Sequence, residues 1–188
     1  MSAAKQFQVR RYTYDDYVTW DDDVHWELID GVPYAMSAPS VQHQGISVNL
    51  TRLFGNYLVG KPCKVYHAPF DVRLNYSNGD DIVVQPDIVI ICDQNKLDKK
   101  ACLGAPDLIV EISSPSTSGM DRVKKFNCYM KAGVREYWIV DPDTKSVQIF
   151  LLENGAYIGH GYFIDPDTIS VSTLPECEIS LMEVFSEV

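Results

Sequence analysis

The sequence predicts an α+β fold in which a mixed β-sheet carries helices packed on it. Three observations point there. "QPDIVII", "DLIVEIS" and "REYWIVD" are short β-branched runs that read as strands, the second of them buried. Two longer stretches carry apolar residues at helical spacing. Turn signals rich in Asp, Asn, Pro and Gly separate the rest.

In chain order, Tyr12 to Trp20 predicts a short helix begun by Thr13, with Asp15 and Asp16 in the first turn where they suit the dipole. "HWELIDGVPYAM" is a hairpin around Asp30-Gly31, a favoured type I′ pair, and Pro33 makes its second arm an edge strand. Ile46, Leu50, Leu53 and Tyr57 then predict a core-packing helix capped by Ser40. From Lys64 to Asn75 the alternation of one strand sets Tyr66, Ala68, Phe70, Val72 and Leu74 on one face, and His67, Asp71 and Arg73 on the other.

After a turn at "NYSNGDD", "IVVQPDIVIICD" supplies the next strand. A charged segment, "QNKLDKKACLGA", is expected at the surface, ahead of the strand "PDLIVEIS". A helix from about Ser118 to Lys131 ends at Gly133, the usual position past a C-terminus. Val123, Phe126 and Met130 form its predicted core stripe. "REYWIVD", "SVQIFLL" and "AYIGHGYF" are three more strands, with turns at Asp141-Pro142-Asp143 and Asn154-Gly155. "LPECEISLMEVF" closes the chain as a strand or short helix.

The length of 188 residues suits one domain, residues 1–188. No repeat or low-complexity tract is present, which argues against solenoids and disordered tails. Neither a signal-peptide core nor a membrane-length apolar run is found, so a cytoplasmic protein without membrane contact is expected. The five cysteines, Cys63, Cys92, Cys102, Cys128 and Cys177, lack C-x-x-C spacing, so reduced and mostly buried thiols are expected rather than disulfides or zinc. A net charge of −10 requires any phosphate-binding face to be local.

The chemistry centres on two acids. Asp87 and Glu111 lie in consecutive strands otherwise made of Val, Ile and Leu. A buried carboxylate is costly unless paired or ligated. If the strands are neighbours, the two acids converge and need a proton or cation between them. Mg²⁺, bound by carboxylates, waters and phosphate oxygens, fits that demand. The structural alternative is that Asp87 caps a turn after Pro86 while Glu111 pairs with a Lys or Arg. Ser113 points to the same side as Glu111, and is not a cation. On the following helix Asp121, Lys125 and Tyr129 share one stripe, where pattern alone makes Lys125 a solvated partner of Asp121.

"WELIDG", "QPDIVII", "DLIVEISSPST", D-x-x-x-K-x-x-x-Y and "AGVREYWIVDP" occur in this order in a family that the chain resembles from about Glu27 to Val140. This is the Uma-type family of endonucleases in the PD-(D/E)XK, restriction-endonuclease-like superfamily. The resemblance implies a restriction-endonuclease-like mixed-sheet core flanked by helices, with an added N-terminal hairpin and C-terminal strands. It implies that Asp87 and Glu111 bind Mg²⁺, with Mn²⁺ as substitute. The catalytic lysine expected two residues after the second acid is replaced by Ser113, and Lys125 matches its migrated position. Glu27 matches a further acid that reaches the metal through water, though an edge-hairpin carboxylate reads equally well. His43 matches a family histidine, read alternatively as a packing residue. Tyr129 supports the site or is simply structural.

The expected activity is Mg²⁺-dependent hydrolysis of DNA phosphodiester bonds by a homodimeric endodeoxyribonuclease. The alternatives are a catalytically silent binding or interaction module on a nuclease fold, and a metal-dependent phosphoesterase acting on RNA or a small substrate.

Overall fold

A computed structural model of the chain describes residues 10–114, 120–186 and 188, the side chains of residues 120–122 excepted. Its elements are α1 (Tyr14–Tyr17), β1 (Trp26–Ile29), β2 (Val32–Ala35), α2 (Val41–Leu58), β3 (Lys64–His67), β4 (Asp71–Arg73), β5 (Val83–Val84), β6 (Ile88–Ile91), β7 (Ala101–Leu103), β8 (Leu108–Ile112), α3 (Phe126–Ala132), β9 (Glu136–Asp141), β10 (Ser146–Glu153), β11 (Ala156–Ile164), β12 (Thr168–Ser170), β13 (Glu178–Ser180) and α4 (Leu181–Val184). No helix among the described residues is long and apolar enough to cross a membrane.

The expected α+β architecture is present, built on two main sheets. A six-stranded sheet runs β11-β10-β9-β8-β6-β3, and a five-stranded sheet runs β2-β1-β5-β4-β7. In the larger sheet only β8 and β9 are parallel, the pair joined through α3. Its central strands are buried on both faces, which explains their unbroken apolar runs. One face, with Ile88, Ile90, Leu108, Val110 and Trp138, packs under Ile46, Leu50 and Phe54 of α2 and Leu181 and Val184 of α4. The opposite face, with Val89, Ile91, Ile109, Tyr137 and Ile139, meets α3 and the smaller sheet through Tyr129, Val72 and Val84.

Local chemistry explains most elements. Asp16 accepts from Thr13 N at 3.0 Å and closes the start of α1. Asp30 and Gly31 both adopt positive φ (50° and 71°), as the hairpin requires, and β2 with its Pro33 is the sheet's edge. Ser40 Oγ caps α2 by accepting from His43 N at 3.1 Å. The buried stripe of α2 runs Ile46, Leu50, Phe54 and Leu58; the predicted Leu53 and Tyr57 flank it, half-buried. Gly133, at φ 94°, ends α3. The closing segment is both strand and helix, β13 then α4, and β13 pairs with β12, which sequence pattern did not indicate.

Several expectations are corrected. The strand foreseen from Lys64 to Asn75 is two, β3 and β4, lying in different sheets. "IVVQPDIVIICD" likewise divides into β5 and β6 at Gln85-Pro86. Prolines at both breaks lack the N–H a ladder needs, and alternation cannot reveal a change of sheet. In the segment expected at the surface, Ala101 and Cys102 are buried as part of β7, parallel to β4. Cys63 and Cys92 form a disulfide, because they extend the β3–β6 register one residue beyond Lys64 and Ile91. The other three cysteines are buried free thiols, as expected.

The third helix begins differently from the α pattern. Ser118 lies outside the described residues, and Met120–Lys125 form a π-helical turn before α3. The extra residue rotates the rest of the helix by about 100°. Val123, predicted to face the core, is therefore 61 % exposed, while Lys125 is 4 % exposed. Phe126 still packs beside the core.

Candidate active site

The two crossing points between the sheets lie side by side. Ala68 N donates to Asp87 O at 3.1 Å, so the chain leaves the larger sheet after β3 and enters it before β6 at one place. The candidate residues gather there.

Ile88 pairs with Val110 in the antiparallel β6–β8 ladder, and one further step sets Asp87 opposite Glu111. The Asp87 carboxylate is fixed from two sides. Its Oδ2 accepts from Ile112 N at 2.7 Å and lies 3.1 Å from His43 Nε2. The Ser40 cap seats His43 in the first turn of α2, from which its ring reaches the strand end. His43 is thus a partner of Asp87 rather than a packing residue.

Glu111 shares the face of Ile109 and points toward α3. Lys125 Nζ lies 2.9 Å from Glu111 Oε1, and Tyr129 donates its hydroxyl to the same oxygen at 2.5 Å. Burial, and then the neighbouring Glu111 carboxylate, hold the Tyr129 phenol well above its usual range, so it stays protonated. Lys125 also lies 2.9 Å from Glu27 Oε1, with both side chains 5 % exposed. The reading of Lys125 as a solvated surface partner of Asp121 is overturned. Glu27 is no edge carboxylate either: β1 lies between β2 and β5, and Glu27 Oε1 accepts Gln85 N at 2.8 Å.

The network continues into residues not singled out from sequence. Gln85 Nε2 donates to Asp71 Oδ1 at 2.8 Å and to the Tyr17 hydroxyl at 3.0 Å. The signal was the polar Gln85 between Val84 and Pro86, in a run otherwise apolar.

Burial alone does not mark a site. Glu136, also in an apolar strand, is fully buried, but it accepts from neutral donors: Trp138 Nε1 at 2.8 Å, Thr173 N at 2.7 Å and Ser172 N at 3.3 Å. It is a structural tie between β9 and the loop after β12. The junction differs because, among the described residues, Glu27, Glu111 and Asp87 bring three carboxylates beside one ammonium and one imidazole. Carboxylates gathered in this way suit a hard cation.

Among the described residues no group of three or more His, Cys, Asp or Glu side chains is arranged to hold a metal ion. Some oxygens nonetheless stay uncommitted among the described residues. Both contacts of Asp87 use Oδ2, leaving Oδ1. Ser113 Oγ is buried without a hydrogen-bond partner among the described residues. Two carboxylates and a hydroxyl, completed by waters and phosphate oxygens, suit a hard cation such as Mg²⁺.

A mixed sheet that brings two acids to adjacent strand ends beside a buried lysine defines a nuclease-like α+β protein. The chain belongs to the Uma2 family, described as "Putative restriction endonuclease", whose model matches residues 14–182. It is 30% identical over 140 residues to the uncharacterized protein slr1290 of Synechocystis sp., covering 72% of each chain. Its fold is similar to the crystal structure of a "putative nuclease belonging to DUF820" from Anabaena variabilis. The TM-score is 0.75 at 19% identity, over 93% of this chain and 98% of that one.

Proposed function

We propose that the protein is a Mg²⁺-dependent endonuclease that hydrolyses phosphodiester bonds in DNA. The observation that carries this reading is Lys125, buried between Glu27 and Glu111 with Asp87 on the adjoining strand end. Asp87 Oδ1 and Glu111 would hold the cation, with Ser113 Oγ as a neutral donor. The bound ion supplies Lewis-acid activation of water and of the phosphoryl group.

The protein's own groups do the rest. Lys125 would offer positive charge where negative charge develops on the phosphoryl oxygens. Tyr129 and Lys125 hold Glu111 in one orientation, Glu27 anchors Lys125, and His43 with Ile112 N fixes Asp87. Pre-set geometry of this kind spares reorganisation during reaction. β11, one of the two outer strands of the larger sheet, exposes Ile158, Tyr162 and Ile164, which supports pairing of two copies along that edge.

The test is calorimetric titration of Mg²⁺ and Mn²⁺ into wild type, Asp87→Ala and Glu111→Ala, beside a plasmid-nicking assay. Metal binding and nicking that both require the two acids support the reading. Equal metal binding in all three proteins would sink the assignment. Binding that needs both acids, without cleavage of DNA or RNA, would make the protein a silent nuclease-fold module.

A further inference from the structure

Beside the acids lies a second feature that takes no part in the proposed hydrolysis. A cleft of about 650 Å³ opens between the β1–β2 hairpin, the turn after β4 and the outer side of α3. Among the described residues, its walls carry Arg11, Lys124 and Lys131 against one carboxylate, Asp30. In a chain of net charge −10 this local basic excess stands out. Asn78 and Asn127 line it as well, and Asn127 keeps one amide N–H beyond its bond to Val123 O.

The cleft is pre-formed. Lys124 Nζ donates to the Tyr34 hydroxyl at 2.7 Å and sits 4.3 Å from the Tyr34 ring centre, which fixes its ammonium while leaving two donors. Tyr12 N donates to Gly31 O at 2.9 Å and holds the Arg11 backbone against the hairpin turn. Burial pushes the Cys128 thiol in the wall up to about 11, so it adds no negative charge at neutral pH.

The cleft also adjoins the acids. Ile29 lines it, and Glu27 lies on the same face of β1 two residues earlier. Lys124 and Cys128 line it from the helix that delivers Lys125 and Tyr129 to Glu111.

We infer that this cleft binds the phosphodiester backbone of a nucleic-acid strand through Lys124, Lys131 and Arg11, next to the cluster of Asp87, Glu111 and Lys125. The inference deepens the nuclease reading and rests on it for the identity of the polymer. Phosphate contacts of this kind position a strand without reading its sequence.

The test is fluorescence anisotropy of a fluorescein-labelled DNA duplex in metal-free buffer, across a salt series. The proteins are wild type, the Lys124→Ala/Lys131→Ala double variant and Glu111→Gln, each checked for fold by circular dichroism. Both lysines are exposed, so the double variant is expected to fold. It should bind about tenfold more weakly, with a log–log salt slope shallower by about 1.8, the value for two lost phosphate contacts. Glu111→Gln, which removes a negative charge beside the cleft, should bind at least as tightly as wild type while losing cleavage. Wild-type affinity and slope in the double variant would overturn the inference. Displacement of the duplex by inorganic phosphate at equal ionic strength would also overturn it, making the cleft a free-anion site. Lysine-dependent binding without metal-dependent cleavage would leave the cleft standing and sink the nuclease reading alone.

Discussion

The ammonium of Lys125 lies 2.9 Å from Oε1 of Glu27, a carboxylate on the smaller sheet, while also bonded to Glu111 on the larger one. One buried cation thus joins two sheets. Removing it would leave two almost wholly buried carboxylates without their cation. Lys125→Met is expected to destabilise the fold by about 3–5 kcal/mol, measured by urea denaturation. A loss under about 1 kcal/mol would show that the carboxylates are not charged in the folded protein.

Tyr129 gives a pH dependence with a definite sign. Its phenol is held above the ordinary value of 10.0, so the folded protein keeps a proton that the unfolded chain releases. Stability from this group is complete below about pH 10 and declines as pH rises from there toward the folded value. Tyr129→Phe should cost about 1–3 kcal/mol at pH 8, the range for losing a buried hydrogen bond. It should also flatten the alkaline decline by about 1.4 kcal/mol per pH unit. Denaturation midpoints at pH 9 and 11 compare the two proteins, and parallel declines would contradict the cause given.

The Cys63–Cys92 bond closes a loop with a sequence separation of 29. Closing a loop of that length stabilises by about 3.6 kcal/mol through the unfolded chain. Dithiothreitol is therefore expected to lower the denaturation midpoint of wild type and leave a Cys63→Ala/Cys92→Ala variant unmoved. Equal responses would mean that the bond does not form in solution.

Glu136 separates structural from functional acids. Glu136→Leu strips partners from the Trp138 indole and two backbone N–H groups, with an expected cost of about 3 kcal/mol. Its Mg²⁺ isotherm should match wild type, whereas that of Glu111→Ala should not. A shared loss of metal binding would place Glu136 within the site's electrostatic reach.

Much was legible in the chain because it rests on neighbours in sequence. The Asp30-Gly31 turn, the Ser40 cap, the end of α3 at Gly133 and the strands "DLIVEIS" and "REYWIVD" reflect local conformational preference. The two acids also stood out, since a carboxylate among Val and Ile demands an explanation.

Other features escaped, and three of them have a clear physical reason. The alternation from Lys64 to Leu74 keeps its apolar side chains in one core even though the strand changes sheets at Pro69, so periodicity carried no mark of the break. Lys125 looked solvated because its stripe with Tyr129 reads as an outer face, whereas Tyr129 is fully buried and i,i+4 spacing takes Lys125 in with it; Val123, within the π turn, lies outward. Cys63 and Cys92 looked unrelated because their pairing depends on the register of β3 with β6.

The sequence by itself determined the local elements, the burial of the apolar strands and the identity of the acids that would converge. These depend on backbone preferences and hydrophobic periods that act over a few residues. Only the tertiary structure decided that Glu27, Glu111 and Lys125 form one cluster, that His43 and Ile112 hold Asp87, and that a basic cleft opens beside them. Those relations arise where two sheets and a helix meet, and ion pairs at 2.9 Å depend on packing between segments far apart in the chain.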